Sequence, residues 1–423
     1  MNDSNSTPFL LFHPGKQHSP QTALALQDLG RLRYYATSIF YDPKKFPYLL
    51  EKLPGRVGKT LHSEFARFEH PMINASMVKT WGAYEWLERL ALRVGAVRLS
   101  NHLNQIGNKR FAAGLARDIA SDAHFALWGY NGSSVEAFRL AKDHGRFCVL
   151  DRTIGDYRYF NLVMAEQAES YPRFFTDQER SVDQRRIDLD DEEYDLADMI
   201  VVGSRFCGST LLNHSKVRKL NEKINVLPYC SNNHDFDKIH INNWTPGNDR
   251  PLRFIFVGRI APRKGVHLLL EAIARFSPLE ASLTLLGKML IPADAYAPYA
   301  GRVTHLNSVA PNEVAQIMGE HDVLILPSFF EGSAITLLEA QNCGLGIIQS
   351  EQAGTGATAE SGIILPMNGV EELYEAMRVA VDNRMLVQFW KANAVKQSHH
   401  HRFQSYRQNI ERLISTNWQF GAS

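Results

Sequence analysis

The chain lacks several of the features that would announce a protein class. Its 423 residues hold only four cysteines, Cys148, Cys207, Cys230 and Cys343. They are far apart and form no C-x-x-C pair, so neither a zinc cluster nor a disulfide framework is legible, and a reducing compartment suits them best. No run of about 18 apolar residues occurs, so no transmembrane helix is expected. The opening MNDSNSTPFLLFHPG has no basic region and only Phe9 to Phe12 as consecutive apolar residues, too few for a signal peptide. Lys plus Arg number 46 against 45 Asp plus Glu. That near-balance excludes a dedicated nucleic-acid binder, whose surface must neutralise phosphates. These absences together suggest a cytoplasmic protein.

What is present is ordinary globular composition, 44% hydrophobic and 22% charged, at a length that fits two domains. Charge is uneven along the chain. Residues 43–118 carry 13 Lys or Arg against 6 Asp or Glu, and residues 119–200 carry 9 against 17. The basic stretch also holds Phe46, Tyr48, Phe65, Phe68, Trp81, Tyr84 and Trp86. One reading is peripheral contact with an anionic membrane, at its inner face for a cytoplasmic protein. The commoner arrangement for such a mixture is a helical layer with aromatics inward and cations in water.

Hydrophobic patterning alternates strand and helix. FLLF, RYYATSIFY, the strand within DAHFALWGY, RFCVLD and MIVVGS are expected strands, with helices at TALALQDLG, VEAFRLAKDHG and DLDDEEYDLAD. The polar stretch CSNNHDFDKIHINNWTPGNDR reads as a linker. Alternation resumes with LRFIFVG, SLTLLG, VTHLNSV, DVLILPS, GIIQS and GIILP. In the helix after Gly265, Val266, Leu269, Leu270 and Ile273 fall at core-facing spacing. Two doubly wound α/β sheets in series follow, because alternating strands and helices imply parallel pairing.

Open α/β sheets bind ligands beyond the C-terminal ends of their strands. After LRFIFVG comes GRIAPRKG, where Gly258 permits close backbone approach and Arg259 and Lys264 suit a diphosphate. A solvated loop with incidental charge is the plainer alternative, and Arg263 fits it better than its neighbours do. The second segment is EGSAITLLEA. There Ser333 is expected to cap a helix whose free amides, Ser333 to Ile335, welcome an anion. Glu331 and Glu339 can accept hydrogen bonds from sugar and ribose hydroxyls. Taken singly, they also read as a cap favoured by the helix dipole and an exposed helix face.

GRIAPRKG, the amphipathic helix behind it, LTLLG and DVLILPSFFEGSAITLLEAQNCGLGII together resemble the retaining nucleotide-sugar glycosyltransferases of family 4. The resemblance is strong from about Leu252 to Pro366. Upstream it is weaker, resting on the spacing from Gly15 to Gly30 and on EEYDLADMIVVGSRF followed by INVLPY. It implies a GT-B architecture, two Rossmann-like doubly wound domains facing across a cleft. An acceptor-side domain would occupy 1–235 and a nucleotide-sugar domain 236–402, with a crossover helix at about 403–423 returning to the first.

The resemblance also implies a retaining transfer from a nucleotide-diphosphate sugar to a glycan, glycolipid or other acceptor, with no cofactor and no metal. Carried over, Arg259 and Lys264 would bind the diphosphate, Glu331 the donor sugar and Glu339 the ribose. Backbone groups of Ser333, Ala334, Ile335 and Thr336 would line sugar and phosphate, Val309 would lie by the base, and Gly15 and Lys16 would close over the phosphates.

Departures from the family pattern matter. Pro14 stands where a glycine is frequent, and Ser333 and Ala334 replace Phe and Gly. Arg152, beside Asp151, stands where many members carry a histidine that meets the sugar. A guanidinium there can grip a phosphate or an acidic acceptor but cannot act as a base. His124, on the preceding strand, is an alternative imidazole, although a core histidine is the commoner reading. Asp188 to Asp190, a D-x-D, reads as a solvated helix start, and His399 to His401 as adjacent side chains that cannot converge. Two rival functions share this architecture: a nucleotide-sugar epimerase or hydrolase, and a non-catalytic nucleotide-sugar-binding protein.

Overall fold

The computed structural model describes residues 7–15, 18–66, 68–231, 250–366 and 369–417. Most of the expected linker, 232–249, lies outside the described residues, as do Lys16 and the last residues of the expected crossover helix.

Seven strands form one sheet: β1 (Phe9–Phe12), β2 (Leu32–Thr37), β3 (Val78–Thr80), β4 (Ala126–Tyr130), β5 (Cys148–Arg152), β6 (Met199–Val202) and β7 (Ile224–Val226). Their order is β3-β2-β1-β4-β5-β6-β7. Six more form a second: β8 (Leu252–Val257), β9 (Ala281–Leu286), β10 (Val303–Leu306), β11 (Val323–Leu326), β12 (Gly346–Ser350) and β13 (Gly362–Leu365), ordered β10-β9-β8-β11-β12-β13. Every pairing in the second sheet is parallel. Burial explains the order. β1, β4, β11 and β12 are buried at every residue, whereas the edge strand β3 exposes two of its three. Apolar runs such as FLLF and VLIL suit positions covered on both faces.

By contacts the chain divides into two units. One runs to Asp151 and takes in Leu189–Val201 and the chain from Arg407; the other comprises Arg152–Asp188 and Val202–Tyr406. This grouping differs from the expected boundary at 235/236. The reason is packing, since Phe160, Met164, Phe174 and Phe175 are buried in the same core as β8, β9, β11 and β12. The helix Val266–Ile273 feels the same packing. Its expected core face is buried, but so are His267 and Leu268 on the other side. The His267 ring lies 4.8 Å from Tyr171 and is stacked on Phe329.

The D-x-D differs from its expected solvated helix start. It falls inside the helix Gln184–Leu196, where Asp190 is 2% exposed and Glu193 fully buried. Glu193 accepts from the amides of Gly132 and Ser134 at 2.8 and 2.9 Å. Among the described residues no helix is long and apolar enough to cross a membrane.

Candidate active site

In each sheet the strand order reverses at one place, between β8 and β11 in the second and between β1 and β4 in the first. Loops leaving those strand ends diverge and open a crevice, so ligands bind there. In the second unit the two loops are 258–265 and 327–334, which hold most of the chemistry expected from the sequence.

The first loop is built on glycine and proline. Pro262 opens a short 3₁₀ turn, Pro262–Lys264, and Gly265 closes it at φ 70°. A Cβ at Gly265 would stand 1.9 Å from the Pro327 carbonyl oxygen, so only glycine lets the two loops approach this closely. The Phe329 amide donates to the Arg263 carbonyl at 2.9 Å and ties the loops together.

That approach brings Lys264 onto Glu331. The ammonium contacts Oε1 of the carboxylate, and both side chains are almost buried, 12% and 11% exposed. Arg263 joins them, its Nη1 donating to the Phe330 carbonyl at 2.7 Å and to the same Oε1 at 3.2 Å. Arg263 is therefore no incidental solvated charge. Sequence reading missed it, although the signal was present: Pro-Arg-Lys-Gly in a tight turn directs both cations into the neighbouring loop. Burial pulls the Lys264 ammonium below its usual range; Glu331 opposes this, and Arg263 and Arg259 add to it. Burial also resists ionisation of Glu331, but the Lys264 and Arg263 charges outweigh it and hold the carboxyl below its ordinary range.

Arg259 differs from Lys264 in its surroundings. Its side chain is 62% exposed and 3.7 Å from Glu179. A long pair whose arginine is open to solvent is weak, which leaves the guanidinium movable. Gly258, at φ 147°, lets the chain turn from β8 toward it.

The helix after the second loop begins one residue later than expected. Ile335–Asn342 is helical, Ala334 is its N-cap, and no side chain caps it. Ser333 is therefore not the cap. The Ala334 amide is also not free, since it donates to the Ala353 carbonyl at 2.9 Å. The segment 350–357 causes both differences by passing close against the loop; a Cβ on Gly354 would stand 2.8 Å from Ser333 Cα. Buried Gln349 fixes that segment through the Gly354 carbonyl and the Ala357 amide. The amides of Ser333, Ile335 and Thr336 make no hydrogen bond among the described residues. Ile335, Thr336 and Glu339 are half-buried along one side of the helix, while Leu337, Leu338, Ala340 and Gln341 are buried. Val309 is half-buried against the core just beyond β10.

Arg152 is held against its own loop. It is fully buried, and its guanidinium donates to the carbonyls of Ile154 at 2.7 Å and Gly155 at 2.6 Å. These bonds clamp the loop that follows β5, because a buried guanidinium must satisfy its donors.

In the first unit, Gly15 follows β1 at the reversal of strand order, next to buried His13, which burial holds neutral with a pKa of about 3. Asp151 is fully buried at the end of β5 and burial pushes its carboxyl up to about 7. Neither oxygen meets the full geometry of a hydrogen bond among the described residues, and the Trp128 and Tyr130 side chains beside it offset the burial only in part. His124 fits neither reading. It is exposed, lies before β4 begins, and bonds Thr7 at 3.0 Å. That is the N-terminal edge of the sheet, opposite the edge at which ligands bind.

Two parallel sheets wound in this way define the GT-B fold, and solved structures agree. Sucrose-phosphate synthase from Thermosynechococcus elongatus is similar over 99% of this chain and 100% of its own, with TM-score 0.63 and 15% identity. The Anabaena protein HepE, solved in complex with UDP, is similar over 97% and 100%, with TM-score 0.58 and 14% identity. Residues 251–383, which contain β8 to β13, match the family model described as glycosyl transferases group 1. The D-inositol 3-phosphate glycosyltransferase of Rhodococcus opacus is 33% identical over 121 residues, 25% of this chain and 27% of that protein. The chain thus matches about a quarter of that curated relative's length.

Proposed function

We propose that this protein is a retaining glycosyltransferase that moves a sugar from a nucleotide-diphosphate sugar to a glycan or glycolipid acceptor. The observation that carries this reading is the buried Lys264–Glu331–Arg263 cluster, two cations on one carboxylate, beside open amides at the start of Ile335–Asn342.

As the glycosidic bond breaks, positive charge builds at the anomeric carbon and negative charge on the departing diphosphate. Fixed cations and helix amides aimed at that diphosphate stabilise the transition state more than the bound donor. Lys264 and the movable Arg259 serve as those cations. Both cations of the cluster sit on Oε1 of Glu331, which leaves Oε2 to accept from the sugar hydroxyls. Glu339, on the half-buried side of the helix, holds the ribose, and Val309 lies by the base. The glycosyltransferase relatives support the transfer itself, and the UDP complex of HepE supports a nucleotide as the carrier.

The test is turnover on a panel of nucleotide sugars and acceptors. Wild-type protein is expected to form glycosylated acceptor, with donor alone left intact. Lys264→Ala should lose at least about 100-fold in rate, as expected for removing one such electrostatic contact. Arg263→Ala, which leaves Glu331 with one partner, should lose less. Consumption of donor without acceptor would favour an epimerase or hydrolase instead, and donor binding without any product a pure binding protein.

A further inference from the structure

A large cavity lies in the first unit, within the basic stretch that the donor chemistry does not use. It measures about 1040 Å³. That is the upper end of the ~300–1,000 Å³ typical of small-molecule sites. Its walls grade from buried to exposed. Tyr48, Phe65 and Phe68, each at most 6% exposed, form its inner wall, locked edge-to-face around Trp86. Its rim carries Phe46 at 78% exposure, Leu90 at 58%, Leu92 at 51% and Leu87 at 50%.

A rim so apolar costs free energy in water unless something covers it. Charge narrows the choice. Lys45, Arg89 and Arg110 also line the cavity, three cations against the carboxylates of Asp42 and Glu64. Lys45 pairs with Asp42 and Arg89 with Glu85, both exposed, while Arg110 lies 5.0 Å over the Tyr84 ring and makes no ion pair among the described residues. The stretch 43–118 retains its excess of 13 cations over 6 anions. An apolar interior, an apolar mouth and cations beside it match one chemistry, a hydrocarbon chain attached to an anionic headgroup.

We propose that this cavity binds the chain of a single anionic amphipathic lipid, with its headgroup against Arg110, Lys45 and Arg89. This does not rest on the transferase reading, because lipid uptake is measured without donor, and either can fail while the other stands.

The probe is a lysophosphatidylglycerol with a brominated chain, added to the full-length protein below its critical micelle concentration. Bromine quenches tryptophan at short range, and Trp81 and Trp86 line the cavity. Saturable quenching at one lipid per chain is expected. It should weaken at least tenfold in the Leu87→Glu/Leu90→Glu double variant and severalfold with the neutral-headed lysophosphatidylcholine. Should the double variant lose its helical circular dichroism, Arg110→Ser carries the test, and the preference for the anionic headgroup should vanish. Absence of quenching by monomeric lipid, quenching only on vesicles, or equal affinity for both headgroups would overturn the proposal. A dimer in sedimentation that the double variant splits would do the same, by showing a second copy as the occupant.

Discussion

A lysine and a glutamate buried together offset each other's desolvation only if their geometry is close, and removing one partner leaves the other costly to keep. At Lys264 and Glu331 a third group, Arg263, tips the local balance to positive. A buried positive excess is a standing demand for an anion, whether a phosphate or a carboxylate. Asp151 shows the reverse situation. Burial outweighs the Trp128 and Tyr130 side chains beside it, and its carboxyl rises from the ordinary 3.8 to about 7. Below about pH 4 both folded and unfolded chains hold its proton. Between about 4 and 7 only the folded state does, so stability falls as pH rises through that window and is level above it. Asp151→Asn removes the titration while keeping the shape. The variant should be the more stable at pH 8, by a few kcal/mol at most, since each tenfold change in proton affinity is worth ~1.4 kcal/mol. The gap should close toward pH 4. Denaturant midpoints measured across that range check this, and parallel profiles would refute it.

At the level of elements, the site depends on how closely two loops approach. Gly265 permits that approach at φ 70°, with no room for a Cβ against the Pro327 carbonyl. Gly301 provides the contrast, because nothing lies within 4 Å of its position for a Cβ. Gly265→Ala should cost on the order of 2 kcal/mol or more from strained backbone and displaced loop. Gly301→Ala should change stability by about 0.5 kcal/mol or less. Thermal unfolding of the two variants side by side is the measurement, and equal melting temperatures would show that the loops yield. Legibility also divides at this level. The strands were readable because apolar runs bounded by Gly and Pro leave little choice. The placement of Lys264 and Glu331 in loops just beyond strand ends was readable because motif spacing follows the strands. What was not readable arises between segments distant in sequence. Residues 350–357 take the Ala334 amide, Arg263 reaches the Phe330 carbonyl, and Arg152 turns back on its own loop. No periodicity within one segment carries that information.

For the molecule as a whole, a ligand that binds only the folded state must raise the free energy of unfolding by an amount set by its concentration. A nucleoside diphosphate present at about 100 times its Kd contributes ~2.7 kcal/mol through one site. For a unit of roughly 150–250 residues each kcal/mol moves the melting temperature by about 2–4 °C, so a rise of roughly 5–10 °C is expected. Uridine and guanosine diphosphates tested separately would distinguish the base. Lys264→Ala should abolish most of the rise, because the buried cation it removes is the one proposed to meet the diphosphate. The unbound variant need not melt lower, since losing Lys264 also removes a desolvation cost while exposing Glu331 to Arg263 alone. The informative quantity is therefore the ligand-induced shift within each protein rather than the difference between them. A full shift retained in Lys264→Ala would place the diphosphate elsewhere and detach the cluster from donor binding.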